Sequence, residues 1–316
     1  MIGFFIVLCA SFFFCFQNVI VRVLFNESSV FGLFNTGGFV EPTLQNSFLL
    51  LFMRMVLGVP LMAIPLSRLY GKTWDEIGQL KSPKQRRLLV HALIGGLLMF
   101  LYLALLYLSV GLISTGIALT LFFTYPVFTA LLSWKILNSP LSRYRWIVMG
   151  VILLGSLLTI PRTSGAISQS SWLGVGFGIV SGLTYSLYSV NAQKSFESMH
   201  PVPFTWISFT TAMVLSGICL AIGYEPTANL PWTALWISGL LSAIATSVGH
   251  LLNNIGIRAI GATSAAMIGA TNPALTALLA WMAIQESLNT VQTLGVLIVT
   301  LSIAALSREP QSSRHA

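Results

Sequence analysis

Residues 124–134 read TYPVFTALLSW, and residues 271–281 read TNPALTALLAW. Seven of these eleven positions are identical, at an offset of 147 residues (271 minus 124), and Ala118 matches Ala265 at the same offset. A composition rich in Leu and Ala supplies some matches by chance, but it does not place Thr, Pro, Thr and Trp in register. Self-similarity at a fixed offset indicates a repeated architecture, so the sequence predicts two related halves.

The composition around this repeat is that of a membrane protein. The 316 residues are 55% hydrophobic and only 8% charged, with a mean hydropathy of +0.84, whereas soluble domains carry about 25% charged residues. This excludes a soluble enzyme and a secreted domain. The apolar blocks run to about 20 residues, the length that crosses a hydrocarbon core, and they lack the alternation of barrel strands. The predicted fold class is an all-α integral membrane protein.

Ten transmembrane helices are predicted, arranged as two inverted five-helix repeats. Their approximate bounds are residues 2–24, 47–66, 88–108, 114–135, 144–160, 172–193, 203–223, 232–256, 262–283 and 290–306. The duplication aligns the fourth span with the ninth, so each half holds five spans. Because five is odd, the second half is expected to be inverted relative to the first, a common transporter plan. We assign residues 1–165 and 166–306 to the two halves, and residues 307–316 to a disordered cytoplasmic tail.

The positive charges predict the orientation. Of the 16 Lys and Arg residues, 13 fall on one side of the predicted spans, six of them in the loop between spans 2 and 3. The other side has only Arg22 and Arg162, and Arg54 lies within span 2. Cytoplasmic loops collect Lys and Arg, so both termini and the 2–3 loop are expected in the cytoplasm. The net charge of +8 thus reports orientation in the plasma (inner) membrane rather than a nucleic-acid partner.

The cysteines and the first loop carry little chemistry. Cys9, Cys15 and Cys219 lie inside apolar blocks, without metal-ligand spacing, so we expect packing residues and no metal or cofactor. The connection 25–46 is the longest external segment. It is expected to form an irregular surface loop, in preference to a mobile lid.

Two prolines occupy equivalent points of the repeat, Pro126 in span 4 and Pro273 in span 9. A proline inside a helix removes a backbone donor and clashes with the carbonyl four residues earlier. The pair is interpreted either as a functional kink that serves gating or as a tolerated feature of membrane helices. Trp134 and Trp281 are expected to anchor the two spans at opposite interfaces.

These Pro-centred helices, together with GLIST at 111–115 and GATSA at 261–265 before them, resemble the drug/metabolite transporter superfamily, and within it the ten-span EamA type. Glu286 and Gly295 after span 9 fit the same pattern. The resemblance covers essentially the whole chain. It implies a ten-helix fold and movement of small metabolites, often export. One departure is that the first half has Ser139 where the second half has Glu286.

Arg54 is the one basic residue well inside a predicted span. A charge at membrane depth usually faces a cavity or a partner. Two interpretations remain open: a ligand for an anionic group of a substrate, or a structural residue that snorkels or binds carbonyl oxygens.

Polar residues within the spans predict a cavity. Tyr185, Tyr188 and Asn191 share one helix face, and Thr246, His250, Asn253 and Asn254 share another. The predicted cavity residues are Gln17, Asn18, Arg54, Tyr102, Tyr107, Tyr125, Tyr185, Tyr188, Asn191, His250, Asn253, Asn254 and Asn272. The alternative for each of them singly is an interhelical hydrogen bond.

His250 is the only histidine deep in a predicted span, and no Asp or Glu lies well inside one. A proton relay usually uses such carboxylates, so facilitated diffusion or exchange is as open as proton coupling.

The predicted function is a secondary, ATP-independent transporter that works by alternating access, as a monomer or homodimer in the lipid bilayer. Aromatic and amide side chains without deep acids suit a neutral, zwitterionic or mildly anionic metabolite, such as an amino acid or a related compound, and export is the expected direction. The alternatives are a non-transporting scaffold or signalling protein and a membrane-embedded enzyme. The enzyme would need a cluster of catalytic or metal-binding groups that the sequence lacks.

Overall fold

The structure is a computed structural model that describes residues 2–41, 43–80, 82–83, 85–113, 115–158, 171–223, 230–285 and 289–307. Within them the helices are α1 (Ile2–Phe25), α2 (Leu44–Leu69), α3 (Thr73–Gln79), α4 (Arg86–Leu112), α5 (Thr115–Phe122), α6 (Tyr125–Leu137), α7 (Arg143–Leu158), α8 (Ser171–Ser195), α9 (Pro201–Gly223), α10 (Trp232–Ile260), α11 (Ala262–Gly269), α12 (Asn272–Ile284) and α13 (Thr290–Ser307). Two strands, β1 (Ser28–Val30) and β2 (Phe34–Thr36), follow α1. Arg162, Glu286, the expected boundary at 165/166 and the tail from residue 308 onward lie outside the described residues.

The architecture is that of an all-α, multi-pass membrane protein, as predicted. Seven helical segments of the described chain are long and apolar enough to cross a bilayer, among them α11 and α12 taken together. The other three predicted spans correspond to α5 with α6, to α7 and to α13. Large apolar side chains are exposed along the outer faces, for example Ile147 (66%), Leu154 (63%) and Leu301 (70%). Such exposure is favourable where the surrounding solvent is lipid.

The core lies where the long helices meet. α4 packs along α8 and α9, and α1 packs along α10. Between them lies a cluster of fully buried side chains that includes Met99, Tyr188, Phe204 and Phe209. Aromatic rings contribute a large buried area each, so this cluster holds the long helices together.

The connection after α1 contains a β-hairpin, where an irregular loop was expected. β1 pairs antiparallel with β2, in the register Ser28↔Thr36 and Val30↔Phe34. The tip turns through Phe31 (φ 50°) and Gly32 (φ 68°), backbone angles that glycine tolerates best. The Phe31 N–H also donates to the carbonyl of Ala283 near the end of α12 (2.7 Å), so the hairpin contacts the second half of the chain.

Two broken helices carry the repeated sequence. α5 and α6 are separated at residues 123–124, and α11 and α12 at residues 270–271. Each bound of α11 and α12 lies 147 residues after the corresponding bound of α5 and α6, which is the offset of the sequence repeat. Each proline lies in the first turn of the second segment, where its missing N–H costs no helical bond. The expected kink is therefore a complete interruption of the helix.

The residues at both breaks satisfy the backbone in the same way. The Thr124 hydroxyl donates to the Leu121 carbonyl and the Thr271 hydroxyl to the Ile268 carbonyl, each at 2.6 Å. The second segments also end alike, at Asn138 (φ 50°) and Gln285 (φ 54°), both in the left-handed region. The two copies thus share their local conformation as well as their sequence.

The orientation can be tested with two cysteines placed at exposed positions. In a variant whose three native cysteines are replaced by alanine, we expect Asn35→Cys in the hairpin to react with an impermeant thiol reagent added to intact cells. Ser198→Cys, between α8 and α9, should react only after the membrane is permeabilised, because the charge bias places that connection in the cytoplasm. The reverse labelling pattern would overturn the predicted orientation.

Candidate functional site

A cavity of about 650 Å³ is lined by residues from Phe14 in α1 to Ile284 in α12. It begins beside Phe14 in the middle of α1 and extends to Ser28 and Ser29 in β1. On the way it reaches Asn26 and Glu27, which are exposed, so it opens at the hairpin end. Residues of α2, α4, α5, α6, α8, α10 and α12 complete the wall. The volume is in the range of pockets for small molecules.

Most of the predicted cavity residues line this space, and all of these lie deeper than the mouth. They are Gln17, Asn18, Arg54, Tyr102, Tyr107, Tyr125, Tyr185, His250 and Asn272. Tyr188, Asn191, Asn253 and Asn254 do not line it. They lie toward the opposite end of the bundle, which is closed.

Arg54 is the charged group at the deep end of the cavity. Its side chain is 4% exposed, and its Nη2 donates to the Tyr107 hydroxyl (3.0 Å). With the Gln17 amide oriented to satisfy its neighbours, its oxygen accepts from the same Nη2 (2.7 Å), and its nitrogen donates to the Ser242 carbonyl (3.2 Å). Arg54 Nε has no partner among the described residues. The guanidinium is therefore held in place by neutral groups only.

An aromatic wall faces this charge. The ring centroids of Tyr125 and Tyr185 lie 4.7 Å apart, those of Tyr102 and Tyr185 5.0 Å, and those of Phe122 and Tyr125 5.4 Å. The first two pairs are edge-to-face, with interplanar angles of 76° and 75°, and the third is tilted at 44°, arrangements that fix the rings against one another. Together they give the cavity a flat, rigid and largely apolar side.

Besides Arg54 Nε, three buried polar atoms in the lining have no hydrogen-bond partner among the described residues: Thr246 Oγ1, His250 Nδ1 and Asn272 Oδ1. The other ring nitrogen of His250 lies 3.1 Å from the Tyr102 hydroxyl. Buried polar groups are normally paired, so these atoms retain unused hydrogen-bonding capacity beside the cavity.

The closed end is sealed by polar contacts between helices. The Asn254 amide donates to the hydroxyls of Tyr188 and Thr205, both at 2.8 Å, which ties α10 to α8 and α9. The Asn191 amide donates to the backbone carbonyl of His91 in α4 (2.9 Å). These residues have structural partners in the conformation described, whatever they contact in another one.

A histidine stack lies beyond this seal. The ring of His200 lies parallel to that of Tyr70, with centroids 3.9 Å apart, and its backbone N–H donates to the Glu76 carboxylate (3.0 Å). Burial, and then the charge of Arg258, lowers the pKa of His200. The ring is therefore neutral near pH 7 and keeps Nδ1 as an acceptor for the Val202 N–H (3.3 Å).

Both helix breaks border the cavity, because Tyr125 and Asn272, the residues directly before Pro126 and Pro273, are in its lining. Other lining residues were not among the predicted ones. They include Phe14, Leu103, Leu106, Leu119 and Phe122, apolar residues that resemble lipid-facing ones in sequence. Thr246, which the sequence places on the same helix face as His250, also lines the cavity.

A bundle of apolar, membrane-length helices around a cavity with buried polar groups is an arrangement found in membrane transporters. Residues 42–160 and 172–308 each match the EamA-like transporter family. The chain belongs to that family, which confirms the resemblance seen in the sequence.

Known proteins agree with this assignment. The chain is 55% identical over 312 residues to an uncharacterised transporter of Synechocystis sp., covering 99% of this chain and 95% of the relative. It is 23% identical over 211 residues to the threonine/homoserine exporter RhtA of Salmonella typhimurium, covering 66% of this chain and 68% of the relative. A protein crystal structure shares the fold with a TM-score of 0.72 at 17% identity, covering 97% of this chain and 99% of that one.

Two positions in α10, Asn254 and Thr246, are expected to respond differently to mutation. Asn254→Ala removes two hydrogen bonds at the closed end, and membrane hydrogen bonds of this kind contribute about 0.6 kcal/mol each on average, so the melting temperature in detergent should fall. Thr246→Val, on the same helix, removes no hydrogen bond to a described residue and should leave the melting temperature unchanged. An equal loss for both variants would contradict the assignment of Asn254 to the seal and Thr246 to the cavity.

Proposed function

We propose that this protein is a secondary, ATP-independent transporter that carries a small polar or amphipathic metabolite, an amino acid or a related compound, by alternating access. The observation that carries the proposal is the cavity itself, open at the hairpin end and closed at the other by contacts between helices. A carrier needs such an arrangement, because its site is reached from one side at a time. Family membership favours transport over an enzymatic role.

The proposal includes ten spans in two inverted repeats, residues 1–165 and 166–306. Three observations support it: the family matches the chain twice, the two broken helices have the same bounds at an offset of 147 residues, and both breaks border one cavity. Inverted repeats place the substrate site near the bilayer midplane, where the halves meet. The deep lining residues Gln17, Tyr102 and His250 lie near the middle of their helices.

In the orientation that the charge bias predicts, the cavity opens outward in this conformation. The inward-facing form then requires the closed end to separate. The contacts that must break include those from Asn254 to Tyr188 and Thr205 and from Asn191 to His91. The predicted cavity residues at the closed end would line the inward-facing cavity. Export from the cytoplasm uses the same cycle, with loading from that side.

The amino acid class is supported by the cavity size and by the exporter relative, which acts on threonine and homoserine by name. We expect purified protein in proteoliposomes loaded with an excess of an unlabelled amino acid, 2-hydroxy acid or 2-oxo acid to accumulate the labelled compound transiently. Counterflow of this kind is a property of carriers. Protein-free liposomes are the control. Absence of counterflow across all three classes, or flux that does not saturate, would contradict the proposal.

The two prolines give a test of alternating access. Pro126→Ala and Pro273→Ala supply a backbone donor at each break and permit the two segments to join into one helix, so each should favour one facing state. Because the halves are inverted, we expect the two variants to shift the outward-open population in opposite directions. A shift of about 1.4 kcal/mol changes the population ratio tenfold.

The measurement is the labelling rate of a cysteine at Thr246 by a reagent added from outside, in the variant without native cysteines. Pro201→Ala is the matched control, because Pro201 begins an ordinary helix, α9, and should leave the rate unchanged. Shifts of the same sign for Pro126→Ala and Pro273→Ala, or no shift, would show that the breaks serve packing alone.

A further inference from the structure

The cavity has an unbalanced charge. Four lining residues can carry a charge: Arg22, Glu27, Arg54 and His250. Arg22 and Glu27 lie together at the mouth and have opposite signs. Among the described residues, no carboxylate lines the cavity deeper than Glu27. Among the described residues, the deep cavity therefore has one permanent charge, the positive charge of Arg54.

Nothing in the described chain neutralises this charge. The hydroxyl of Tyr107 and the amide oxygen of Gln17 both accept from Nη2, and neither has a negative charge. Nε has no partner, and no ion pair of Arg54 occurs among the described residues. A buried charge without a counterion is costly. A protein that keeps one at the end of an open cavity gains the missing stabilisation when an anion binds.

The chemistry of the guanidinium favours a carboxylate. Its planar fork of donors matches the two oxygens of a carboxylate, and such charge-assisted bonds are roughly twice as strong as neutral ones. The low-dielectric wall of aromatic rings strengthens the attraction further. The same rings, Tyr102, Phe122, Tyr125 and Tyr185, offer contact area for an apolar or aromatic body.

A second, positive charge on the ligand is disfavoured at this site. An ammonium group next to the bound carboxylate would lie in the field of Arg54 with no described carboxylate to balance it. The free acceptors Thr246 Oγ1 and Asn272 Oδ1 bind a hydroxyl as readily as an ammonium, without that repulsion. Among compounds of one skeleton, the hydroxy acid should bind more tightly than the amino acid.

We propose that the cavity selects net anions and that its substrate is an amphipathic carboxylate. The carboxylate of the substrate binds Arg54, and its apolar or aromatic part packs along the aromatic wall. This inference rests on the proposed transport function and narrows its substrate class from amino acids and related compounds to acids without a balancing amine.

Four compounds of one skeleton test the inference, because they separate the effect of a carboxylate on the ligand from that of an ammonium. Phenyllactate has only the carboxylate, phenylalanine the carboxylate and the ammonium, phenylalaninol only the ammonium, and 3-phenylpropane-1,2-diol neither. Their apparent affinities for the purified protein in detergent are measured from thermal stabilisation as a function of concentration. We expect phenyllactate to bind at least about tenfold more tightly than the diol, the magnitude typical of a hydrogen bond to a charged group. Phenylalanine, in which an ammonium replaces the hydroxyl of phenyllactate, should bind several-fold more weakly than phenyllactate.

Variants assign the carboxylate preference to Arg54. In Arg54→Gln the affinity ratio of phenyllactate to the diol should fall to about one, and in Arg54→Lys, which keeps the charge but loses the fork, it should be intermediate. Arg87→Gln is the matched control, because Arg87 is exposed at the start of α4 and should leave all four affinities unchanged. If Arg54→Gln does not fold, the wild-type series and Arg54→Lys still decide the question.

Four results would overturn the inference: no stabilisation by any of the four compounds, no gain from the carboxylate, a gain that survives in Arg54→Gln, or an ammonium that binds as well as the hydroxyl. Stabilisation by sodium chloride equal to that by phenyllactate at the same concentration would also overturn it, by assigning Arg54 to an inorganic anion. Counterflow of labelled phenyllactate is measured separately. Its absence, with the binding series intact, would refute transport while leaving the anion site standing.

Discussion

Inside a bilayer there is no water to bond a free N–H or C=O, so an interrupted helix is tolerated only where the protein itself supplies the missing partners. The two breaks in this chain meet that requirement with side-chain hydroxyls. Thr124 and Thr271 bond the carbonyls before each break. Ser186 of α8 bonds the Tyr125 carbonyl (2.8 Å), and Ser156 of α7 bonds the Ala270 carbonyl (2.7 Å).

Close helix packing makes these hydrogen bonds to the broken helices possible. A side chain at Gly182 in α8 would place its Cβ 2.8 Å from the Phe122 carbonyl oxygen, so only glycine lets α8 approach the first break. With α8 this close, Ser186 reaches the backbone at Tyr125, while Tyr185 points into the cavity. The break, the helix contact and the aromatic wall thus depend on the same few residues.

The sequence was sufficient for the helical membrane class, for the position of both breaks and for most polar residues of the cavity. The sequence did not show how far along each helix the cavity extends. Tyr185 and Tyr188 share a face, as do His250 and Asn254, and helical periodicity treats the members of each pair alike. The structure separates them by less than two turns, into a cavity wall and a seal, because the cavity ends between them.

Other features lacked a distinguishing signal. Leu119 and Phe122 line the cavity, yet an apolar residue facing a cavity has the same chemistry as one facing lipid. The hairpin was missed because its strands have three residues each, too few for an alternating pattern. The partners of Arg54 come from α1 and α4, and only the folded chain shows that none of them is acidic.

Arg54 has no counterion in the part of the chain that the structure describes, and this has a consequence for energy supply. If the carrier moves a single anion outward with Arg54 fixed in place, each cycle transfers one negative charge across the membrane. With the cell interior negative, a potential of 100 mV supplies about 2.3 kcal/mol to that step, enough for an outside-to-inside concentration ratio of about fifty. Transport would then be electrogenic and measurable as a current. The membrane voltage itself would drive export, with no need for the intramembrane carboxylates that a proton-coupled carrier usually contains.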